Sequence, residues 1–517
     1  VHQIRFEVNT LKKETHLNRF EIRDSLLAQN TLLNFIAQAV PLFVGLVTIP
    51  FIVRGLGIER FGLFSLALVV LGYFTIFDLG LGQATTKFVA ETFGKGEITE
   101  IPCLVWTAVI SQAILGIIGA LVLFGITPLL AERILNIPNE LIEEAKTTFY
   151  LLALSVPAIL ISASFRGVLE AMQRFDLVNA IKIPTSTSIF LLPLLGLMWG
   201  FRLPGIVALI FGTRILALFV FLILAIYLRP ELKKWSASFT LFPQLFFFGG
   251  CVTIARSVGA ILAYSDRFLI GSIFSMSAVA YYTTPFEAVT KLWIIPASFV
   301  ITLFPAFSYF TGANDNHKIN ELVSRSLKYI LLIQWPITLV IIIFAREILY
   351  IWLGMDFAQK SALTLQILAL GVLFSSIAHI PSYLFQGIGR PDLTAKFYSL
   401  ELPIYLGTAW LLIKNFGITG AAVAWTLRAA LDVFLLFGAS FTLSRGLPRL
   451  LLNEKVPSIG FILLIISAMA YGLKIFINDF PIFLQLLIFI IFFALLGYFI
   501  WKKLLNIFDR QLILKKL

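Results

Sequence analysis

The sequence predicts an all-α polytopic membrane protein of fourteen transmembrane helices, set out as two pseudo-symmetric six-helix bundles plus a C-terminal helix pair. Three observations carry that expectation. The 517 residues are 59% hydrophobic and only 13% charged, against about 45–50% and about 25% in an ordinary soluble domain. The apolar residues run on for membrane-helix length, about 20 residues, where a β-barrel would show alternating segments of ~10. Lysine and arginine, finally, crowd the connections on one side of the chain.

Taken in order, residues 1–25 form a mixed polar and charged cytoplasmic segment. They hold no apolar core and no small-residue cleavage site, so the first span is expected to act as an uncleaved anchor. Apolar windows follow at 28–53, 61–84, 102–127, 148–170, 179–200, 205–228, 243–271, 278–306, 327–350, 362–387, 395–414, 418–441, 457–476 and 481–501. Short polar breaks such as "RGLGIER", "GKGEITE", "RPELKKW" and "TGANDNHK" divide them. Lys414-Asn415 and Arg202 with Pro204 mark the two closest turns.

Charge tests the count. With the N-terminus cytoplasmic, 26 Lys and Arg fall on the inner side and nine on the outer. The inner set includes Lys87, Lys95, Arg174, Arg229, Lys318, Arg390 and Lys455, and the outer set Arg54, Arg133, Lys360 and Lys474. A wrong number of spans in the middle would scramble that bias, so both termini are expected to be cytoplasmic.

The second half echoes the first at an offset of about 215 residues. "GVLEAMQRFDL" (167–177) matches "YLFQGIGRPDL" (383–393), and "LPGIVALIFGTR" (203–214) matches "ITGAAVAWTLR" (418–428). The expected organisation is therefore a bundle at 26–228, a cytoplasmic linker at 229–242, a second bundle at 243–441, and the last two helices with a cytoplasmic tail at 442–517. Each bundle begins and ends inside, so the repeats are parallel.

Composition excludes several function classes. The net charge of +12 sits in short loops and tails, where anionic lipid headgroups are the fitting partner and nucleic acid is not. Two distant cysteines, Cys103 and Cys251, and four scattered histidines make no metal or disulfide framework. No Walker lysine, HExxH or GxSxG motif is present, so neither an enzyme nor a bound cofactor is expected.

The chemistry is expected in the ionisable residues inside or near the spans. Carrying a charge into hydrocarbon costs at least ~2.5–3.5 kcal/mol, so such groups face protein or a watery cavity. Arg256 falls near the middle of the seventh window, either lining a cavity or held in an interhelical ion pair. Asp266 and Arg267 lie further along it and diverge by about 100° around the helix, with snorkelling to the headgroups an alternative for Arg267. Glu287 and Lys291, four apart, make either a neutralising pair or part of a binding wall.

Arg428 and Asp432 repeat the device in reverse order, and Arg214 holds the matching landmark in the sixth window. Together Arg256, Arg267, Lys291 and Arg428 give the second bundle excess positive charge, suited to a phosphate or diphosphate. Asp78 is expected to organise a helix end or to pair with Lys87 or a neighbouring helix. Pro41 and Pro50 in the first window are candidates for bending.

The stretch "NTLLNFIAQAVPLFVGLVTIPFIVRGLGIERFGLFSLALVVLGYFTIFDLGLGQATTKFVAE" (30–91) resembles the opening of the polysaccharide-biosynthesis flippases. "YSDRFLIGSIFSMSAVAYYTTPFEAVTKLWIIPASFVITLFPAFS" (264–308) resembles the start of their second half. The family shares the MOP superfamily with the MATE drug exporters and the lipid II flippase, so the resemblance implies a MATE-like transporter fold in the bacterial inner membrane. It implies alternating-access transfer of an undecaprenyl-diphosphate-linked oligosaccharide, an O-antigen or exopolysaccharide repeat unit, from the cytoplasmic to the periplasmic leaflet. Glycan polymerase machinery would stand downstream of a monomeric flippase.

Asp78, Pro41 and Pro50 carry over as parts of the family's N-terminal pattern. A coupling ion, Na+ or H+, is left unassigned. A cation-coupled multidrug exporter of the MATE type and a lipid II flippase are the alternatives, the first expecting an acid-dominated site.

Overall fold

A backbone in hydrocarbon has no water to bond and must satisfy its own amides, so long apolar windows become helices. The computed structural model describes residues 24–57, 60, 61, 63, 64, 78–134, 137–274, 276–444, 446–477, 480–499 and 502, and among these every regular element is helical. The window at 61–84 falls mostly outside the described residues, as do residues 1–23 and the tail from 503.

The helices of the first half are α1 (Asp24–Leu56), α2 (Leu81–Lys95), α3 (Ile101–Leu129), α4 (Ile142–Ala171), α5 (Phe175–Met198) and α6 (Leu203–Leu228). Those of the second are α7 (Phe242–Ile273), α8 (Met276–Thr290), α9 (Ile294–Gly312), α10 (Asn316–Ile343), α11 (Ala345–Leu353), α12 (Met355–Gly387) and α13 (Pro391–Leu443). α14 (Leu447–Asn453), α15 (Val456–Phe476) and α16 (Ile482–Phe499) follow. Among the described residues eleven helical segments are long and apolar enough to cross a bilayer.

The two closest turns are made by glycines. Gly200, at φ 75°, closes α5 before Leu203 opens α6. Gly417, at φ 59° and ψ −139°, breaks α13 into two arms. Backbone of this kind, at positive φ, costs a residue with a side chain about 1–3 kcal/mol. A single 3-10 turn, Lys291–Trp293, joins α8 to α9.

The chain forms two compact units. The first holds residues 1–254 together with 301–315 and 386–392, two short stretches from the second half of the sequence. Here α4 packs against α2, α3 and α6, and α1 against α5. Phe149, Leu152, Val156 and Leu160 of α4 meet Leu123, Ile206 and Ile210 in the core.

The added stretch of α9 touches α2 backbone to backbone. A Cβ on Gly94 would stand 1.9 Å from the Tyr309 carbonyl oxygen, and one on Gly312 2.0 Å from that of Glu91. The repeated landmarks recur as the same local ion pair. Arg174 binds Asp176 at 2.8 Å and Arg390 binds Asp392 at 3.0 Å, each at the start of the following helix. These carboxylates raise the affinity of both guanidinium groups for their protons.

The second unit holds 255–300, 316–385 and 393–517. Tyr282, Phe286, Tyr405 and Trp425 centre its core. α10 packs with α15 and α16 through Leu339, Phe344, Ala470, Ile477 and Phe489. In both units large apolar side chains stand exposed, among them Phe43, Leu121, Phe219, Phe434, Phe461 and Ile490. A soluble monomer rarely exposes apolar surface on this scale, and lipid tails are its fitting surroundings.

Candidate functional site

The ionisable groups that the sequence marks in the second unit fall into three settings. In the first, Glu287 on α8 receives two cations. Arg267 Nη2 on α7 donates to Glu287 Oε1 at 2.9 Å, and Lys291 Nζ donates to Oε2 at 3.5 Å. The Arg267 guanidinium also lies over the Phe286 ring, 5.0 Å from its centroid. Lys291 is the exposed member, with 65% of its side chain accessible. Asp266 points elsewhere, as the turn of a helix requires for adjacent residues. It is buried, accepts from the Arg267 backbone N–H at 2.8 Å, and takes the Tyr282 hydroxyl as its second donor.

The second setting lies between the arms of α13. Glu401 is on the first arm, and Arg428 and Asp432, one helical turn apart, are on the second. Gly420 lets the arms close, since a Cβ there would stand 2.0 Å from the Leu412 carbonyl oxygen. Arg428 Nη1, on a side chain one-tenth accessible, reaches Oε2 of the fully buried Glu401 at 3.6 Å. The guanidinium also lies 5.8 Å from the centroid of the Trp425 ring. Glu401 was missed in the sequence because only the charges beside recognisable landmarks were weighed. Its signal was present, since Glu401 lies inside an apolar window on the arm facing Arg428.

Of the four cations that the sequence marks, Arg267 and Lys291 meet Glu287, and Arg428 meets Glu401. The third setting is Arg256 alone. It is exposed on α7, and among the described residues no acceptor pairs with it.

Arg214 belongs to the first unit, where its Nε is buried and has no hydrogen-bond partner among the described residues. Asp78 organises a helix start. Its Oδ1 accepts from the Gly82 backbone N–H at 3.1 Å and from Gln112 Nε2 at 2.6 Å, while Ser164 donates to Gln112 Oε1 at 2.8 Å. Lys87 pairs with Glu91 and lies 4.0 Å from the Phe88 ring centroid. Pro41 and Pro50 both lie on helical backbone within α1.

The first unit also carries an uncharged buried network. Asn30 Nδ2 donates to the backbone oxygen and to Oε1 of Gln173, each at 3.0 Å, and Gln173 Nε2 donates to the Thr302 carbonyl at 3.1 Å. Asn34 Nδ2 donates to Thr302 Oγ1 at 3.0 Å, and Asn179 Nδ2 donates to Asn34 Oδ1 at 2.9 Å. Gln173 sits at φ 56°, a conformation held by these bonds. The network ties α1, the α4–α5 connection and α5 to the stretch of α9 that joins this unit. A sequence search confined to charges passes over it, although asparagine within an apolar window is a signal of the same kind.

A multi-pass helical protein with the fold of the MATE transporters is the class this architecture defines. A MATE transporter of Vibrio cholerae in its bent form superposes with a TM-score of 0.69 over 83% of this chain and 97% of that one, at 18% identity. The polysaccharide biosynthesis protein family model matches residues 27–311, and the MatE model matches 251–411. The chain belongs to the polysaccharide biosynthesis protein family. It is 28% identical over 415 residues to the "Putative O-antigen transporter" of Shigella flexneri, covering 79% of this chain and 96% of that protein. It is 25% identical over 417 residues to the "Probable low-salt glycan biosynthesis flippase" of Haloferax volcanii, covering 79% and 82%.

Proposed function

We propose that this protein flips an undecaprenyl-diphosphate-linked oligosaccharide, an O-antigen or exopolysaccharide repeat unit, from the cytoplasmic to the periplasmic leaflet by alternating access. The observation that carries the reading is the family membership over 27–311, on a chain with the fold of a transporter. The full architecture in this reading is fourteen helices in two six-helix bundles and a C-terminal pair. Both termini face the cytoplasm of a bacterial inner membrane, as the inner excess of Lys and Arg supports. The protein acts as a monomer and delivers its lipid-linked product toward glycan polymerase machinery.

Within that reading, Arg256 and Lys291 are the contacts for the diphosphate. Arg256 has no acid answering it among the described residues, and Lys291 is largely exposed. A guanidinium binds phosphate oxygens by charge-assisted hydrogen bonds. Arg267 and Arg428 face Glu287 and Glu401, so they hold the helices around the path.

The purified protein in proteoliposomes is expected to move a prenyl-diphosphate oligosaccharide between leaflets, with a cationic dye giving no saturable uptake. Dye transport without glycan transfer would overturn the reading in favour of multidrug export.

A further inference from the structure

We infer that Glu401 and Asp432 hold one exchangeable proton between them, forming a proton-binding site between the arms of α13. The site lies in the second unit and goes beyond the translocation reading, which assigns it no ligand.

Three observations support it. Glu401 and Asp432 are 0% and 3% exposed, and their carboxyl groups stand within hydrogen-bonding reach of each other. Both Glu401 oxygens and Asp432 Oδ1 are buried and lack a hydrogen-bond donor among the described residues. One guanidinium, Arg428, lies 3.6 Å from Glu401 and one helical turn from Asp432 on the same arm. Two ionised carboxylates cannot share one buried cation without leaving an unpaired charge, whose burial costs several kcal/mol. A single proton removes that charge and turns one carboxyl into a donor for the other, satisfying an orphaned oxygen at the same time.

The surroundings favour a proton over a metal cation. A metal cation needs about six oxygen ligands, whereas a shared proton needs only the two facing carboxyl oxygens, and Arg428 already occupies one side of the pair. The other facing groups are Tyr398 on the first arm, within hydrogen-bonding reach of Ser382 on α12, and His379 on α12. His379 Nδ1 lies 2.6 Å from the Ser375 carbonyl and therefore donates to it. Tyr405 lies one turn beyond Glu401, with Asp266 of α7 beside it.

The test is infrared difference spectroscopy on the full chain in nanodiscs, titrated with pH, without substrate. The expected result is the carbonyl stretch of a protonated carboxyl group at neutral pH, lost reversibly as the pH rises. It is also expected to be lost in Glu401→Gln and in Asp432→Asn, each of which leaves one carboxylate facing Arg428. Asp266→Asn is expected to retain it. Three results would overturn the inference: no such band in the wild type, a band lost only in Asp266→Asn, or a band abolished when choline chloride is replaced by sodium chloride. Because no glycan is present, failure of the translocation reading leaves this outcome unaffected.

Discussion

Arg428 and Glu401 face each other across the arms of α13 at 3.6 Å in the second unit, Glu401 fully buried and Arg428 nearly so. Twenty-seven positions separate them in the chain, and the left-handed Gly417 between them is what folds one arm back on the other. Arg428 therefore neutralises acid within the bundle, and its removal would leave Glu401 and Asp432 with no cation.

Arg428→Ala is accordingly expected to destabilise the protein by about 3–5 kcal/mol, the usual cost of stripping one partner from a buried pair. Arg428→Lys, which keeps the charge, is expected to recover part of it. Thermal unfolding in detergent measures both, and an unchanged Arg428→Ala midpoint would count against the pairing.

Arg256→Ala is expected to behave in the opposite way. An exposed side chain without a partner among the described residues contributes little, so stability should shift by less than about 0.5 kcal/mol. Translocation of the lipid-linked glycan should fall in proteoliposomes, and Arg256→Glu should reduce it further. Loss of membrane abundance in place of activity would make Arg256 a structural residue.

The uncharged network gives a third expectation. Asn34→Ala removes the donor to Thr302 Oγ1 and strands Asn179 Nδ2 in a buried setting, at a cost of about 1–3 kcal/mol. Gln173→Ala loses its own bonds and also keeps a Cβ at φ 56°, whereas Gln173→Gly relieves about 1–2 kcal/mol of backbone strain. Gln173→Gly should therefore melt above Gln173→Ala.

Gly94→Ala places a methyl group 1.9 Å from the Tyr309 carbonyl oxygen. Neither backbone can give way within its helix, so a loss of folded protein is expected on size-exclusion chromatography. Gly125→Ala, whose Cβ would meet nothing within 4 Å, is the control.

How much was legible in the sequence follows from the range of each interaction. The helical class and the separation of α5 from α6 depend on runs of apolar residues and local breakers, which are contiguous in the chain. The Arg174–Asp176 and Arg390–Asp392 pairs lie two residues apart and show as a repeated motif. Arg267 and Glu287 were both marked as expensive charges, but their pairing across 20 residues was invisible. Glu401 shows in the sequence as an acid inside an apolar window, but its partner Arg428, 27 positions on, does not.

The sequence alone determined that this chain is a helical, multi-pass membrane protein with a family resemblance running through both halves, because hydropathy and turn chemistry are properties of neighbouring residues. The tertiary structure decided which charges are answered and which are not. It set Glu287 beside Arg267 and Lys291 and Glu401 beside Arg428, left Arg256 exposed, and joined Asn34, Gln173 and Thr302 in one buried network. Electrostatic balance in a low-dielectric interior depends on distance in space, and that distance exists only once the helices have packed.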